Sequence, residues 1–379
     1  MGQNARKPAA TVVISGYYGF GNSGDEAVLQ AILLALEAEA AAAGMAIEPL
    51  VLSIRPEQTA RMYGVRAAHR MRPAEVLSAL RGADGLISGG GSLLQDVTSA
   101  NTIPYYAGIL KLAQWLRKPT FIYAQGVGPV RRAWMHPLIR SVMRGSTYIS
   151  VRDAESARYL QRLGIAEGRV DVVPDPVMGL TPLGELESGQ SEPESGMPVL
   201  GVSVRYWRSD REELRRIAAA LGALARRRKL RLRFLPFHLP DDAAASSEVM
   251  ERLGELGESV AELAQPQDNP RRMLAEVSRC DALLGMRLHA LIYAAGAEVP
   301  MLGVSYDPKI DQFLARLDLE AVGTTEALDA GALADAAEAM LSDAEGWRMR
   351  HRDTIDHMKA EARRPARRVV ELLQEQIKR

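Results

Sequence analysis

Short apolar runs rich in β-branched residues recur along this chain, each stopping at a turn or polar loop from which a helical segment departs. Thr11-Val12-Val13-Ile14-Ser15 feeds a turn over residues 16–24, where Asp25 and Glu26 open a long Ala- and Leu-rich helix over 27–43. Residues 47–54 read as a second strand and 75–80 as helical. Residues 85–88 form a strand running into Gly89-Gly90-Gly91. The strand at 120–124 ends in Gln125-Gly126-Val127-Gly128, and the strand at 148–151 ends in Arg152-Asp153. Strands that alternate with helices in this way predict parallel sheets in a doubly wound α/β architecture.

The alternation breaks once. Residues 184–198 are polar and rich in Gly, Ser and Glu, a linker composition, after which a strand restarts at Val199 and ends at Arg205. With 379 residues, more than one core usually supports, this predicts two Rossmann-like domains facing a cleft. The expected bounds are 1–183, a linker at 184–198, a second domain at 199–360, and a C-terminal helix at 361–379. Ligands are then expected at the C-terminal ends of the strands.

Charge excludes several classes. Forty-seven basic and 47 acidic residues cancel, so no chain-wide field selects nucleic acid. A single cysteine, Cys280, rules out an internal disulfide and a thiolate zinc cluster. No two histidines stand three or four residues apart, and no metal is expected. Neither a signal peptide nor an 18-residue apolar run is legible, so a cytoplasmic location is expected, at most against the inner face of the plasma membrane. The basic run at 226–233 reads as a solvated face, with attraction to anionic lipid as a second reading.

Chemistry concentrates at strand ends. Gly285 permits a sharp turn after one strand, and Arg287 and His289 fall where the next helix begins. Lys309 follows the strand after that. A helix N-terminus with a guanidinium, an imidazole and an ammonium suits a small, highly charged anion. Arg205, followed by Tyr206 and Trp207, ends the first strand of the second half and suits a carboxylate or phosphate. Arg152 is similar, with Asp153 beside it as a competing partner. Gly19-Phe20-Gly21-Asn22-Ser23-Gly24 is a literal dinucleotide fingerprint, but Asp25 and Glu26 sit where a pyrophosphate would dock. Asp25 then either handles a sugar hydroxyl or serves only as a helix-start carboxylate. Gly90, Gly91 and Ser92, with Asp96 beyond, offer a polar acceptor surface. Asp241 and Asp242 read as an exposed turn.

Taken together, the segments 16–26, 89–92, 125–129, 150–153 and 285–290 resemble the polysaccharide pyruvyltransferase family, of the CsaB type acting on bacterial cell-wall polymers. The resemblance implies a GT-B-like fold, with the C-terminal helix at 361–379 crossing back to the first domain, and transfer of pyruvate from phosphoenolpyruvate, as co-substrate and without a cofactor, onto two hydroxyls of a sugar. For this type it implies a 4,6-ketal on a terminal N-acetylmannosamine of a lipid-diphosphate-linked secondary cell-wall polymer precursor, whose charge anchors S-layer proteins. Arg152, Arg205, Arg287, His289, Lys309 and the Leu288 backbone would hold phosphoenolpyruvate. Gly21, Asn22, Asp25, Gly90, Gly91 and Ser92 would face the acceptor. His289 is the expected acid, and Asp25 or Asp96 the base. Peripheral membrane contact is a further expected partner, and the oligomeric state is not fixed. The competing readings are a GT-B glycosyltransferase using a nucleotide sugar and a non-catalytic sugar-binding protein.

Overall fold

A computed structural model describes residues 9–97, 99–182 and 196–378. The chain divides into two compact units. One ends at Gly179 and also takes the chain from Met358 on; the other is Leu180–His357. Residues 184–195 of the expected linker lie outside the described residues.

The first unit runs β1 (Ala9–Tyr18), α1 (Ser23–Ala42), β2 (Ala46–Ser53), α2 (Pro56–Tyr63), β3 (Arg66–His69), α3 (Pro73–Arg81), β4 (Gly85–Ser88), β5 (Gly91–Leu94), α4 (Thr102–Trp115), β6 (Thr120–Val127), α5 (His136–Arg144), β7 (Tyr148–Val151), α6 (Ala154–Arg162) and β8 (Asp171–Val172). Its parallel sheet has the order β3-β2-β1-β4-β6-β7-β8, with β5 paired to β6. Val12, Val13, Ile14, Leu86, Ile87, Phe121 and Ile122 are fully buried, as expected for strands covered on both faces. Several elements escape the sequence reading, α2, β3 and β5 among them. The pair α2–β3 is short and polar, and β5 hides inside a glycine run: only Gly89 and Gly90 turn, and pairing resumes at Gly91, opposite Gln125.

The second unit runs β9 (Val199–Ser203), α7 (Glu212–Arg227), β10 (Arg231–Phe234), α8 (Asp241–Glu251), β11 (Val260–Leu263), α9 (Pro270–Ser278), β12 (Ala282–Gly285), α10 (Leu288–Gly296), β13 (Met301–Ser305), α11 (Pro308–Ala315), β14 (Gly323–Thr324) and α12 (Ala330–Ser342). Its parallel sheet has the order β11-β10-β9-β12-β13-β14. In both sheets the direction of strand addition reverses beside the first strand, between β1 and β4 and between β9 and β12. At such a switch point the flanking connections leave on opposite faces and open a crevice at the strands' C-terminal ends. Each switch is pinned in the same way: Asp84 Oδ2 accepts from Thr11 N (2.8 Å), and Asp281 Oδ2 accepts from Val199 N (2.7 Å).

The last helix, α13 (Ala344–Ile377), joins the first unit from Met358 on. There Val369, Val370 and Leu373 are buried, and Gln374 Nε2 donates to Ala43 O at 3.1 Å.

Candidate functional site

In the first unit the switch point is built by the β1–α1 loop and the glycine turn after β4. Asn22 caps α1 by accepting from Gly24 N. Glu26 is occupied: it accepts from Gly19 N (2.8 Å) and from the Tyr63 hydroxyl (2.6 Å). Asp25, one residue earlier, faces the glycine turn instead. A Cβ on Gly91, whose φ is +90°, would lie 2.9 Å from Asp25 Oδ1, so only glycine lets β5 start here beside the carboxylate. No hydrogen-bond donor among the described residues reaches the Asp25 carboxylate. Burial pushes its pKa up to about 7, the Arg152 guanidinium opposes the rise, and the neighbouring Glu26 and Asp175 carboxylates add to it.

Arg152, at the end of β7, donates to Ser92 Oγ (2.9 Å) and to Asp175 Oδ2 (3.1 Å). Its partner is therefore the buried Asp175 rather than its neighbour Asp153, which caps α6 through Ser156 N. Arg152 thus lies beside Ser92, one of the expected acceptor residues of the first unit. Asp175 had only a Pro-Asp-Pro turn to announce it.

Asp96 does not join this group. Its oxygens accept from Arg131 N (2.8 Å), Arg132 N (2.9 Å) and the Arg132 guanidinium (3.2 Å). The Arg131 amide foremost, with the other donors, holds its pKa below the usual carboxylate range. A carboxylate engaged in this way clamps the loop after β6 and is a poor proton acceptor.

Arg70, which carried no signal in the sequence, is buried behind the β1–α1 loop. It donates to Gly16 O (2.6 Å) and Tyr106 Oη (3.1 Å), with its guanidinium 4.5–6.0 Å from the ring centres of Tyr17, Phe20, Tyr105 and Tyr106.

In the second unit, the register sets Gly285 of β12 opposite Ser203 of β9 and Gly303 of β13, so the loops carrying Arg205, Arg287 and Tyr306 emerge along one sheet edge. Arg205 Nη1 donates to Tyr306 Oη (2.9 Å), and its guanidinium lies 5.0 Å from the Tyr306 ring centre and 5.3 Å from that of Trp207. Among the described residues no carboxylate pairs with it. Arg287 stands differently: it forks onto Asp242, which is fully buried and also accepts from Phe237 N and His238 N. The exposed turn expected at Asp241–Asp242 is therefore corrected at Asp242, while Asp241 is exposed at the start of α8. Asp242 is the internal counter-ion of Arg287, a pairing across 45 residues that local composition cannot reveal. Arg287 is also the N-cap of α10 yet offers no side-chain cap, so the amides of Leu288 and His289 open the helix with its positive dipole end. His289 and Lys309 are half-buried at the starts of α10 and α11. Glu213, Asp307 and Asp311 are engaged with Trp207 N and Arg208 N, with Lys309 N, and with Ser305 Oγ respectively.

Four of the six cations in the basic run are paired with acids. Arg227 pairs with Asp335, Lys229 with Glu258, Arg231 with Glu262, and Arg233 with Glu262 and Glu276. Among the described residues no helix is long and apolar enough to cross a membrane.

Two Rossmann-like units with polar and charged groups at the switch point of each sheet define a GT-B-fold enzyme. Residues 22–308 match the model of the polysaccharide pyruvyl transferase family, and the chain belongs to that family. No curated protein matches it significantly. Among solved structures, UDP-GlcNAc 2-epimerase from Methanocaldococcus jannaschii superposes with a TM-score of 0.67 at 13% identity, covering 97% of this chain and 99% of that one. The Neisseria meningitidis UDP-GlcNAc 2-epimerase bound to UDP-GlcNAc gives 0.64 at 12% identity, with 97% and 100% covered. A glycosyltransferase from Rickettsia africae gives 0.64 at 11%, with 97% and 98% covered. Likeness at these identities concerns the fold.

Proposed function

We propose that this pyruvyl transferase takes phosphoenolpyruvate on its second unit and a sugar diol on its first, and forms a cyclic pyruvate ketal with release of phosphate. The observation that carries the reading is Arg205. It is a guanidinium set beside the packed Trp207 and Tyr306 rings, whose centres are 4.4 Å apart, with no carboxylate partner among the described residues, at the switch point of a parallel sheet. Phosphoenolpyruvate brings a carboxylate and a phosphate in a small volume, which calls for cations from several directions. Arg205, Lys309, His289 and the opening amides of α10 supply them. Arg287 is largely compensated by Asp242 and orients this loop.

In this reading His289 protonates the methylene carbon of phosphoenolpyruvate, which makes C2 electrophilic. One sugar hydroxyl adds to C2, with Asp25 accepting its proton. The C2–O bond to phosphate then breaks, and the second hydroxyl closes the ketal. Of the two hydroxyl protons, one ends on the new methyl group and the other leaves with phosphate, so the reaction needs neither oxidant nor reductant. Asp25 suits a base because a carboxyl group titrating near neutrality binds and releases protons at working pH. We extend the reading to a 4,6-ketal on a terminal N-acetylmannosamine of a lipid-diphosphate-linked cell-wall precursor, made at the cytoplasmic face for S-layer anchoring.

The second reading is a nucleotide-sugar enzyme, favoured by the UDP-sugar names of the structural neighbours. Against it, each acid beside the second switch point (Glu213, Asp242, Asp307 and Asp311) already holds part of its own loop through at least one oxygen. The test is phosphate release from phosphoenolpyruvate with a lipid-linked N-acetylmannosaminyl disaccharide. Acceptor-dependent release that collapses in His289→Ala and Arg205→Ala supports pyruvyl transfer from this donor. Absence of release, together with stabilisation by UDP, selects the second reading.

A further inference from the structure

The first unit holds a group of cations that the reaction above does not use. One face of α5 carries Arg140, Ser141 and Arg144, with His136 at the helix start. The last turn of α6 adds Arg162, and together they line a cavity of about 520 Å³. Lys111 of α4 donates to Ser141 Oγ at 2.9 Å, setting a fourth permanent charge beside a lining residue. Among the described residues no carboxylate pairs with any of the four. Arg144 reaches only Gly164 O at 3.5 Å, and Arg162 lies over the Tyr159 ring. This contrasts with Arg227, Arg231 and Arg233, each of which has its acid. Arg140 and Arg144 also stand four apart on one helix, where like charges repel. A helix C-terminus attracts nearby cations, and the ends of α5 and α6 account for Arg144 and Arg162; they do not account for Arg140 or Lys111.

Two polar atoms in or beside this wall are also unsatisfied. His136 Nε2 and Tyr159 Oη are buried without a hydrogen-bond partner among the described residues, and the two rings meet edge to face at 6.0 Å. A buried polar atom left in this state is costly unless something arrives to satisfy it.

We infer that this cavity is a second anion site, which takes a phosphate or diphosphate group. A single carboxylate would neutralise one guanidinium, whereas a diphosphate offers several oxygens in the geometry that arginine forks match. The volume accommodates such a group. Its source is either the head group of a lipid or a soluble phosphate. Trp134, 58% exposed, and Leu138, 38% exposed, flank His136 in the chain and are residues suited to a membrane interface. The inference is independent of the pyruvyl-transfer reading, because none of these residues is assigned to that chemistry.

The test compares wild type with Arg140→Gln/Arg162→Gln and, as an independent variant, Arg144→Gln. Inorganic pyrophosphate binding is followed by calorimetry, and co-sedimentation is measured with phosphatidylglycerol and phosphatidylcholine vesicles. The double variant is expected to lose binding at least tenfold in one arm, and the single variant to move the same way, with phosphoenolpyruvate affinity unchanged within twofold. Loss of pyrophosphate binding alone assigns a soluble phosphate. Loss of phosphatidylglycerol binding, with phosphatidylcholine inert throughout, assigns a lipid head group. Failure of the wild type to bind either probe, or equal binding by wild type and both variants, overturns the inference.

Discussion

Arg287 and Asp242, 45 residues apart in the chain, form a forked ion pair in which Nε lies 3.0 Å from Oδ2 and Nη2 meets Oδ1. The aspartate is fully buried and also receives two backbone amides. The pair therefore fixes both the loop after β10 and the start of α10. Removing one member of a buried pair leaves an uncompensated charge, at a cost of about 3–5 kcal/mol. Asp242→Ala is expected to destabilise the protein by about that amount in urea or thermal unfolding. An unchanged unfolding midpoint would show that the pair is not an anchor.

Arg205 is expected to matter for the donor rather than for folding. Arg205→Ala should weaken phosphoenolpyruvate binding by roughly 1.5–3 kcal/mol, the usual value of a hydrogen bond to a charged group. Tyr306→Phe, which removes one orienting bond, should cost only about 0.5–1.5 kcal/mol. Calorimetric titration checks both, and equal losses in the two variants would mean that Tyr306 itself contacts the donor.

Asp25 carries two pH signatures. As a base with a pKa pushed up to about 7, it should make kcat/KM rise as pH increases through 7 and level off above it, a limb that Asp25→Asn removes along with at least a hundredfold in rate. The stability signature runs the other way. A carboxyl group whose folded pKa lies above its unfolded value binds protons more tightly when folded, so the fold is relatively destabilised as pH rises from about 4 towards 7. Asp25→Asn should accordingly raise the melting temperature at pH 8 and leave it nearly unchanged at pH 4. A variant that keeps the wild-type activity limb rules Asp25 out as the base.

Asp96 should behave in the opposite sense. Its pKa is held low by the Arg131 and Arg132 donors, so its contribution to stability is present above its ordinary pKa and is lost as pH falls through its folded value. Asp96→Asn should lower the melting temperature at neutral pH while leaving the pH–rate profile in shape. A collapse of kcat with unchanged stability would restore Asp96 to the chemistry.

Much of this was legible in the sequence because it is local. Strand–glycine–helix units show themselves through apolar runs and turn residues, and a parallel sheet places every strand's end at the same edge. Gly91, Asp25, Arg205 and His289 accordingly lie in or beside the segments that follow strand ends, where the sequence pattern expects them. Even the departures are local in origin: β5 is four residues long and begins on a glycine, and β3 has too little apolar periodicity to register.

What the sequence alone determined is the alternation, and with it the α/β class, the two-domain plan, the family and the set of residues at strand ends. Tertiary structure alone decided how those charged groups are divided. It gave Arg287 to Asp242, Arg152 to Asp175 and Ser92, and Asp96 to a loop, and it left Asp25 without a donor and Arg205 without an acid among the described residues. The reason is physical. Whether a charge is available for chemistry depends on which opposite charge lies within a few ångströms and how much water remains. Partners 23, 45 or 60 residues away are set by packing rather than by spacing.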